Sequence, residues 1–198
     1  NGIVQYPFGY GLSYTTFDWK IKSIERIYDD VKEEHHNGDN ISSPKTKFEF
    51  VLEVTNTGDV AGKDVIEVYY TAPYYKNGIE KSYVNLVEFA KTDLINPSET
   101  KEVKINFDVY DLASYDYSGV GSYVLEKGDY KFSIRANAHE ESNETHVITD
   151  ATVSKTLAST IIYNGAPTSP LQGATYAGKR DSDEVIATNH LDDVSSGD

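Results

Sequence analysis

The sequence predicts an all-β protein that folds as an antiparallel β-sandwich. Short segments in which apolar and polar residues alternate recur along most of the 198 residues, and this alternation is typical of strands with one buried face. Gly, Pro or Asn stands between these segments, as in turns, and no stretch shows the periodicity of an amphipathic helix. Successive short strands without helices indicate two packed sheets.

The first element is an aromatic segment, Tyr6 to Phe17, which reads YPFGYGLSYTTF. Pro7, Gly9 and Gly11 argue against a regular helix here. The segment contains five aromatic rings, which is more apolar surface than a chain leaves in water without a reason. We therefore expect an ordered but irregular segment that is pressed against another surface.

The first strand is predicted at 17–21, where Phe17, Trp19 and Ile21 alternate with charged residues. The following segment, 29–45, is rich in charged residues and contains Gly and Pro without an apolar period. Such a composition predicts an exposed loop or insertion.

Further strands are predicted where period-2 alternation resumes, at 47–56, 64–71, 86–94, 102–109, 122–125 and 129–136. The residues that define the inward faces of the first two are Phe48, Phe50, Leu52, Val54, Ile66, Val68 and Tyr70. The pattern weakens beyond Asn137, where 145–153 and 157–163 are expected to form edge strands or an extended excursion. Residues 164–198 are small and polar with Gly and Pro, which predicts a flexible C-terminal tail.

A tyrosine corner is one interpretation of Leu125 to Tyr130, which reads LEKGDY. In that motif, a Tyr near the start of a strand returns its hydroxyl to the backbone a few residues upstream. The other interpretation is that Tyr130 is simply a core aromatic residue. The sequence leaves both interpretations open.

Composition excludes several classes of partner. The 18 basic and 32 acidic side chains give a net charge of -14, which repels nucleic acid and anionic lipid surfaces. No apolar stretch approaches the roughly 20 residues of a membrane helix. Cysteine is absent, so the fold contains no disulfide and the sequence does not separate a cytoplasmic from a secreted location.

Several motifs resemble glycoside hydrolase family 3 enzymes, in family order from Tyr6 to about His139. The aromatic segment is similar to the signature that joins their α/β catalytic domain to a fibronectin type III-like domain. Four later segments resemble motifs of that domain: the turn VTNTGDVAG at 54–62, the strand GKDVIEVYY at 62–70, the strand LVEFAK at 86–91 and the turn Gly128-Asp129-Tyr130. The resemblance implies an immunoglobulin or fibronectin type III-like sandwich and identifies the chain as a fragment of such an enzyme.

The resemblance also implies a division of the chain. Residues 1–16 are expected to be a connector from a missing catalytic α/β domain, and 17–163 the fibronectin type III-like sandwich. Residues 164–198 are expected to be a linker or the start of a further segment. The expected partners are the catalytic domains of the same polypeptide, and the residues predicted at that domain interface are Tyr6, Phe8, Tyr10 and Tyr14.

By resemblance, the parent protein is a retaining exo-β-glycosidase, a β-glucosidase or β-xylosidase, and this part is a non-catalytic accessory domain. A retaining mechanism needs two carboxyl groups about 5–5.5 Å apart beside a sugar pocket. The carboxylates here are predicted to point to solvent, from strands (Glu49, Glu53, Glu67, Glu102) or turns (Asp59, Asp129). The pair Asp18-Trp19 superficially resembles a nucleophile motif but falls within the first strand. We therefore predict no catalytic residue and no cofactor site.

An independent carbohydrate-binding or adhesion module is the alternative function. Tyr74, Tyr75 and Tyr83 lie in one predicted loop, where they are candidates for stacking on a sugar ring. Inter-domain packing is the favoured interpretation, because Tyr is common at interfaces.

The remaining candidate sites have weak signals. His35 and His36 lie among acidic residues and suggest a divalent-metal site, but a solvated loop is favoured, and no metal site is predicted. The tail carboxylates Asp181, Asp183 and Glu184 lack the spacing of a calcium-binding loop. Two glycosylation sequons begin at Asn40 and Asn143, a pattern that carries meaning only in a secreted protein.

Overall fold

The computed structural model describes residues 5–28, 31–35, 40–41, 46–117, 119–139, 146–149, 152–157 and 160–163. The described residues form thirteen strands and one short 3-10 helix, without an α-helix, so the predicted all-β class is confirmed. No helix in these ranges is long and apolar enough to cross a membrane. The predicted flexible tail, 164–198, lies outside the described residues.

The strands follow one another in chain order with short connections. They are β1 (Phe17–Tyr28), β2 (Val31–His35), β3 (Asn40–Ile41), β4 (Lys47–Asn56), β5 (Val65–Thr71), β6 (Asn85–Lys91), β7 (Thr100–Asp108), β8 (Ser114–Asp116), β9 (Ser122–Leu125), β10 (Gly128–Arg135), β11 (His146–Thr149), β12 (Thr152–Leu157) and β13 (Ile161–Ile162). The 3-10 helix, Val109–Leu112, joins β7 to β8.

Two five-stranded sheets form the sandwich, and the described residues also form a third, three-stranded sheet. The first sheet has the order β11-β1-β4-β7, with β2 also paired to β1, and the second has the order β3-β12-β10-β5-β6. The small sheet has the order β13-β9-β8. Most pairings are antiparallel as predicted, but β11 runs parallel to β1 and β3 runs parallel to β12.

The core lies between the two large sheets and is rich in aromatic rings. Phe48, Phe50 and Phe107 from the first sheet surround Phe132 from the second, with ring centroids 5.5 to 5.9 Å from Phe132. All four side chains are buried. Tilted and edge-on aromatic pairs of this kind stabilise a core beyond their buried area.

The prediction of a loop over 29–45 is wrong in part, because β2 and β3 lie within that range. β1 continues past its predicted end at Ile21, and the register to β4 shifts between Ile21 and Ser23. Such a bulge interrupts period-2 alternation without ending the strand. Beyond the bulge, the extended part of β1 offers an edge to which β2 pairs.

The prediction that all strand carboxylates point to solvent is also wrong. Glu49 and Glu67 are buried, although both lie on the faces of β4 and β5 that point away from the core. The Lys104 ammonium lies 3.4 Å from the Glu49 carboxylate. Glu67 is covered by the N-terminal aromatic segment, whose seat on the sandwich is described next.

Candidate docking surface

The aromatic segment before β1 exposes its rings although it is attached to the sandwich. Tyr6, Phe8 and Tyr10 are 62%, 65% and 48% exposed, and Tyr14 is 98% exposed. Leu12, between them, is 89% exposed. Adjacent exposed apolar side chains of this number are uncommon on a monomer and indicate a contact surface.

A backbone hydrogen bond attaches the segment to the chain just beyond β10 of the second sheet. The Ala138 amide donates a 2.9 Å hydrogen bond to the carbonyl of Phe8, and the Tyr10 amide closes a turn onto the Pro7 carbonyl at 3.0 Å. Gly9 has a φ of 82°, and a Cβ here would collide with the Glu67 carboxylate. The positive φ favours glycine at this position, and any larger residue would also displace the Glu67 carboxylate.

Glu67 lies under the segment in a polar site on the outer face of β5. The Tyr69 hydroxyl donates a 2.6 Å hydrogen bond to the Glu67 carboxylate. Burial raises the pKa of Glu67, and the bond from Tyr69 opposes that rise. Directly across on β6 stands Phe89, which is 59% exposed, so the exposed apolar surface continues from the segment onto the sheet.

A buried asparagine joins the segment to the first sheet. The Thr15 hydroxyl donates a 2.6 Å hydrogen bond to the Asn56 side-chain oxygen, which also accepts from the Gly58 amide at 3.1 Å. The Asn56 amide group donates to the carbonyls of Val60 and Ile95 at 2.8 and 2.9 Å. One side chain thus connects the aromatic segment with two loops, and we call this group of contacts the Asn56 clamp.

The Asn-Thr-Gly turn predicted from the sequence is the centre of this clamp. The Thr57 amide donates to the Thr16 carbonyl at 2.8 Å. A Cβ on Gly58 would collide with the Thr15 hydroxyl and would lie 3.0 Å from the Thr16 backbone nitrogen. Only glycine allows the turn to approach the incoming chain this closely.

A buried polar group fixes the start of β1. The Trp19 indole donates a 2.7 Å hydrogen bond to Asp64, and the His146 Nε2 lies 3.0 Å from the other Asp64 oxygen. The Trp19 and His146 rings are 4.6 Å apart. This arrangement ties β1 to β11 and to the start of β5, and it supports the interpretation of Asp18-Trp19 as part of a strand.

Tyr130 has the geometry that a tyrosine corner requires. Its side chain is 1% exposed, and its hydroxyl donates a 2.9 Å hydrogen bond to the Glu126 carbonyl, four residues upstream. The Glu126 carboxylate forms a buried ion pair with Lys81. The Tyr75 hydroxyl donates to the Lys127 carbonyl at 2.6 Å. The corner is thus supported by side chains from the loop between β5 and β6.

That loop does not present three stacking rings. Tyr75 is buried and supports the corner, so it is unavailable to a sugar or to another domain. The Tyr74 hydroxyl donates to Glu80 at 2.7 Å, and Tyr83 is 49% exposed. The sequence could not separate these roles because all three residues share one loop.

The acidic and histidine motifs bring no metal site together among the residues described. No group of three His, Asp or Glu side chains in those ranges could hold a metal ion. His36, Asn143 and the tail carboxylates Asp181, Asp183 and Glu184 lie outside the described residues. The strands β2 and β3 include His35 and Asn40, for which only the backbone is described.

A second exposed aromatic group was missed by the sequence analysis. Tyr115 on β8 and Tyr123 on β9 are directly opposite in the register, with ring centroids 5.3 Å apart. Tyr117 follows in the turn and is 76% exposed. The signal was present as tyrosines on both sides of a Gly-containing turn, but β8 has only three residues, too few to show a period.

Comparisons with known proteins place this geometry in a family context. Residues 64–138 match the fibronectin type III-like domain. The β-glucosidase A of Butyrivibrio fibrisolvens is 33% identical over 183 residues, which are 87% of this chain and 21% of that protein.

Solved structures show the same relation. A β-glucosidase from Paenibacillus barengoltzii superposes with a TM-score of 0.61 at 35% identity, over 80% of this chain and 16% of that chain. A GH3 β-glucosidase from Bifidobacterium adolescentis, at 23% identity and a TM-score of 0.56, shares the fold over 78% of this chain and 19% of its own. The chain therefore spans about a fifth or less of the length of these relatives.

Proposed function

The chain belongs to the fibronectin type III-like domains of glycoside hydrolase family 3 β-glucosidases, and we propose that it is the accessory domain that docks onto and stabilises the catalytic domains of such an enzyme. The observation that carries the proposal is the pairing of exposed rings with a fixed backbone in the aromatic segment. A segment without a partner has no reason to expose Phe8 and Tyr10 while its backbone is held by Ala138 and its end by the Asn56 clamp.

The docking surface in this proposal consists of the predicted interface residues Tyr6, Phe8, Tyr10 and Tyr14, together with Phe89 on the adjoining sheet. Burial of apolar area contributes roughly 25 cal/mol per Å², so each large ring contributes on the order of 1.5–3 kcal/mol when a partner covers it. The Asn56 clamp fixes the direction in which these rings leave the sandwich. Preorganisation of this kind reduces the entropy lost on docking.

The parent enzyme in this proposal is a retaining exo-β-glycosidase acting on β-glucosides, and the domain affects its catalysis only indirectly. Catalytic carboxylates would come from the other domains, since Glu49 lies beside Lys104 and Glu67 lies under the aromatic segment. We expect the 198-residue chain itself to hydrolyse no aryl β-glucoside or β-xyloside.

The test is the double substitution Phe8→Ala and Tyr10→Ala in the full-length enzyme. We expect a lower thermal unfolding temperature and a lower yield, while the ratio of kcat/KM for glucoside and xyloside substrates stays at its wild-type value. Tyr117→Ala is the control, because it removes an exposed ring, 76% exposed, that lies outside the aromatic segment. Unchanged stability combined with altered sugar preference would instead place the segment in the active site and overturn the proposal.

A further inference from the structure

The group formed by Tyr115, Tyr117 and Tyr123, which we call the tyrosine platform, lies far from the docking surface. β7 runs from Thr100, beside the Asn56 clamp, to Asp108, where the 3-10 helix leads into β8. A nine-residue strand is about 30 Å long. A partner held by the aromatic segment therefore contacts the end of the sandwich that is opposite to the platform.

Two of the three platform rings, Tyr115 and Tyr123, belong to a row in which each ring packs against the next. Tyr163 is fully buried and packs edge-on against Tyr110 at 4.8 Å. Tyr110 packs against Tyr123 at 5.5 Å, and Tyr123 against Tyr115 at 5.3 Å. Exposure increases along the row to 41% at Tyr123 and 51% at Tyr115. Rings fixed in this way lose little conformational freedom when a ligand covers them.

The hairpin beneath the platform is also fixed. The Asp116 carboxylate accepts hydrogen bonds from the amides of Gly119 and Val120 at 2.8 and 3.1 Å, and it is buried on the inner side of the hairpin. The Tyr115 hydroxyl donates to the Gly121 carbonyl at 3.2 Å. A hydroxyl that donates in this way can still accept a hydrogen bond from a ligand.

The chemistry of the platform differs from that of the docking surface. The aromatic segment combines tyrosines with Phe8 and Leu12, which offer only apolar contact, whereas every ring of the platform carries a hydroxyl. The tyrosine rings offer apolar faces with hydroxyl groups at their edges. Such a surface suits a ligand that has flat C–H faces and a polar rim. A β-1,4-linked glucan is such a ligand, because its pyranose rings carry equatorial hydroxyls and its chain is extended and flat.

We propose that the tyrosine platform binds neutral β-1,4-linked gluco-oligosaccharides by stacking. A neutral ligand is favoured because the chain has a net charge of -14, which repels acidic polysaccharides. The site is open and shallow, so the binding is weak and serves to hold polysaccharide close to the protein. This activity is independent of docking, since the two surfaces share no residue.

The experiment is a titration of the 198-residue chain with cellotetraose, followed by NMR of the tyrosine ring signals. We expect saturable shifts with a dissociation constant on the order of 1 mM, and a loss of affinity of at least about tenfold in Tyr115→Ala and Tyr123→Ala. Tyr115→Phe retains the ring and is expected to bind within about threefold of wild type. Circular dichroism verifies that each variant is folded.

Two controls isolate the platform. Phe8→Ala with Tyr10→Ala removes exposed rings at the other end, and Tyr83→Ala removes the exposed ring of the loop between β5 and β6; both are expected to bind like wild type. Maltotetraose tests the linkage and is expected to bind at least about tenfold more weakly. The proposal is overturned if cellotetraose produces no saturable shift, if Tyr115→Ala binds normally, or if Tyr115→Ala only alters self-association in sedimentation.

Discussion

Aromatic residues on the two sides of Thr15 have opposite environments. Tyr14 is 98% exposed, whereas Phe17 and Trp19 are each 1% exposed. Residue type does not explain the difference, because both stretches are rich in large rings. What differs is that β1 enters the sandwich with Trp19 bonded to Asp64, while the segment before Thr15 is attached only by its backbone. A segment whose backbone is held in place while its rings stay exposed therefore indicates a contact surface for a partner.

The largest effect is expected from removing the Asn56 clamp, which lies at the boundary between the exposed and the buried aromatic stretches. Asn56→Ala removes the side chain that bonds Thr15, Gly58 and the carbonyls of Val60 and Ile95, and it leaves buried polar groups without partners. We expect the free energy of unfolding to fall by about 3 kcal/mol, measured by urea denaturation. Asn96→Ala, the same change at an exposed site, is expected to cost less than about 0.5 kcal/mol. Equal effects would show that the clamp is dispensable.

Tyr130 tests the buried side of the comparison. If the tyrosine-corner interpretation is right, Tyr130→Phe leaves the Glu126 carbonyl without its buried donor and lowers the free energy of unfolding by about 1–3 kcal/mol while the fold persists. The measurement is the shift of the denaturation midpoint. Tyr83→Phe, which removes an exposed hydroxyl, is the control and is expected to leave the midpoint in place. An unchanged midpoint in Tyr130→Phe would leave only core packing for this residue.

The smallest effect on folding stability is expected at Glu67, where only the protonation of one carboxylate changes. Burial raises its pKa above the ordinary value for a glutamate, so between the two pKa values the folded state holds a proton that the unfolded state has released. The stability that this proton contributes is fully present below that ordinary value and is lost as the pH rises through the raised pKa. Glu67→Gln abolishes this loss, so its stability relative to wild type is expected to increase from pH 4 to pH 7. Parallel stability curves would contradict the assignment.

The sequence predicted the strands whose alternation is uninterrupted and was less successful elsewhere. β4 and β9 have their predicted bounds, and the inward faces of β4 and β5 are those expected. β1 was predicted too short, since its bulge near Ser23 resets the alternation. β8 was missed because a three-residue strand has no period.

The candidate site was predicted in its exposed residues but not in its supports. The rings from Tyr6 to Tyr14 could be predicted from their number beside Pro and Gly. Glu67 was expected in solvent because alternation reports which side of a strand a residue is on, and not what covers that side. The roles of Asn56 and Gly58 depend on contacts with Thr15, more than forty residues earlier, which no local pattern records.

Hydrogen exchange tests the central claim, that the aromatic segment is one half of an interface. Amide exchange in the peptide covering residues 6–14 is compared between the 198-residue chain and the full-length enzyme, with β4 as the internal reference. We expect exchange in the segment to slow by at least about tenfold in the full-length enzyme, because a partner covers Phe8, Tyr10 and Tyr14, while β4 exchanges alike in both. Equally rapid exchange of the segment in both proteins would contradict the account.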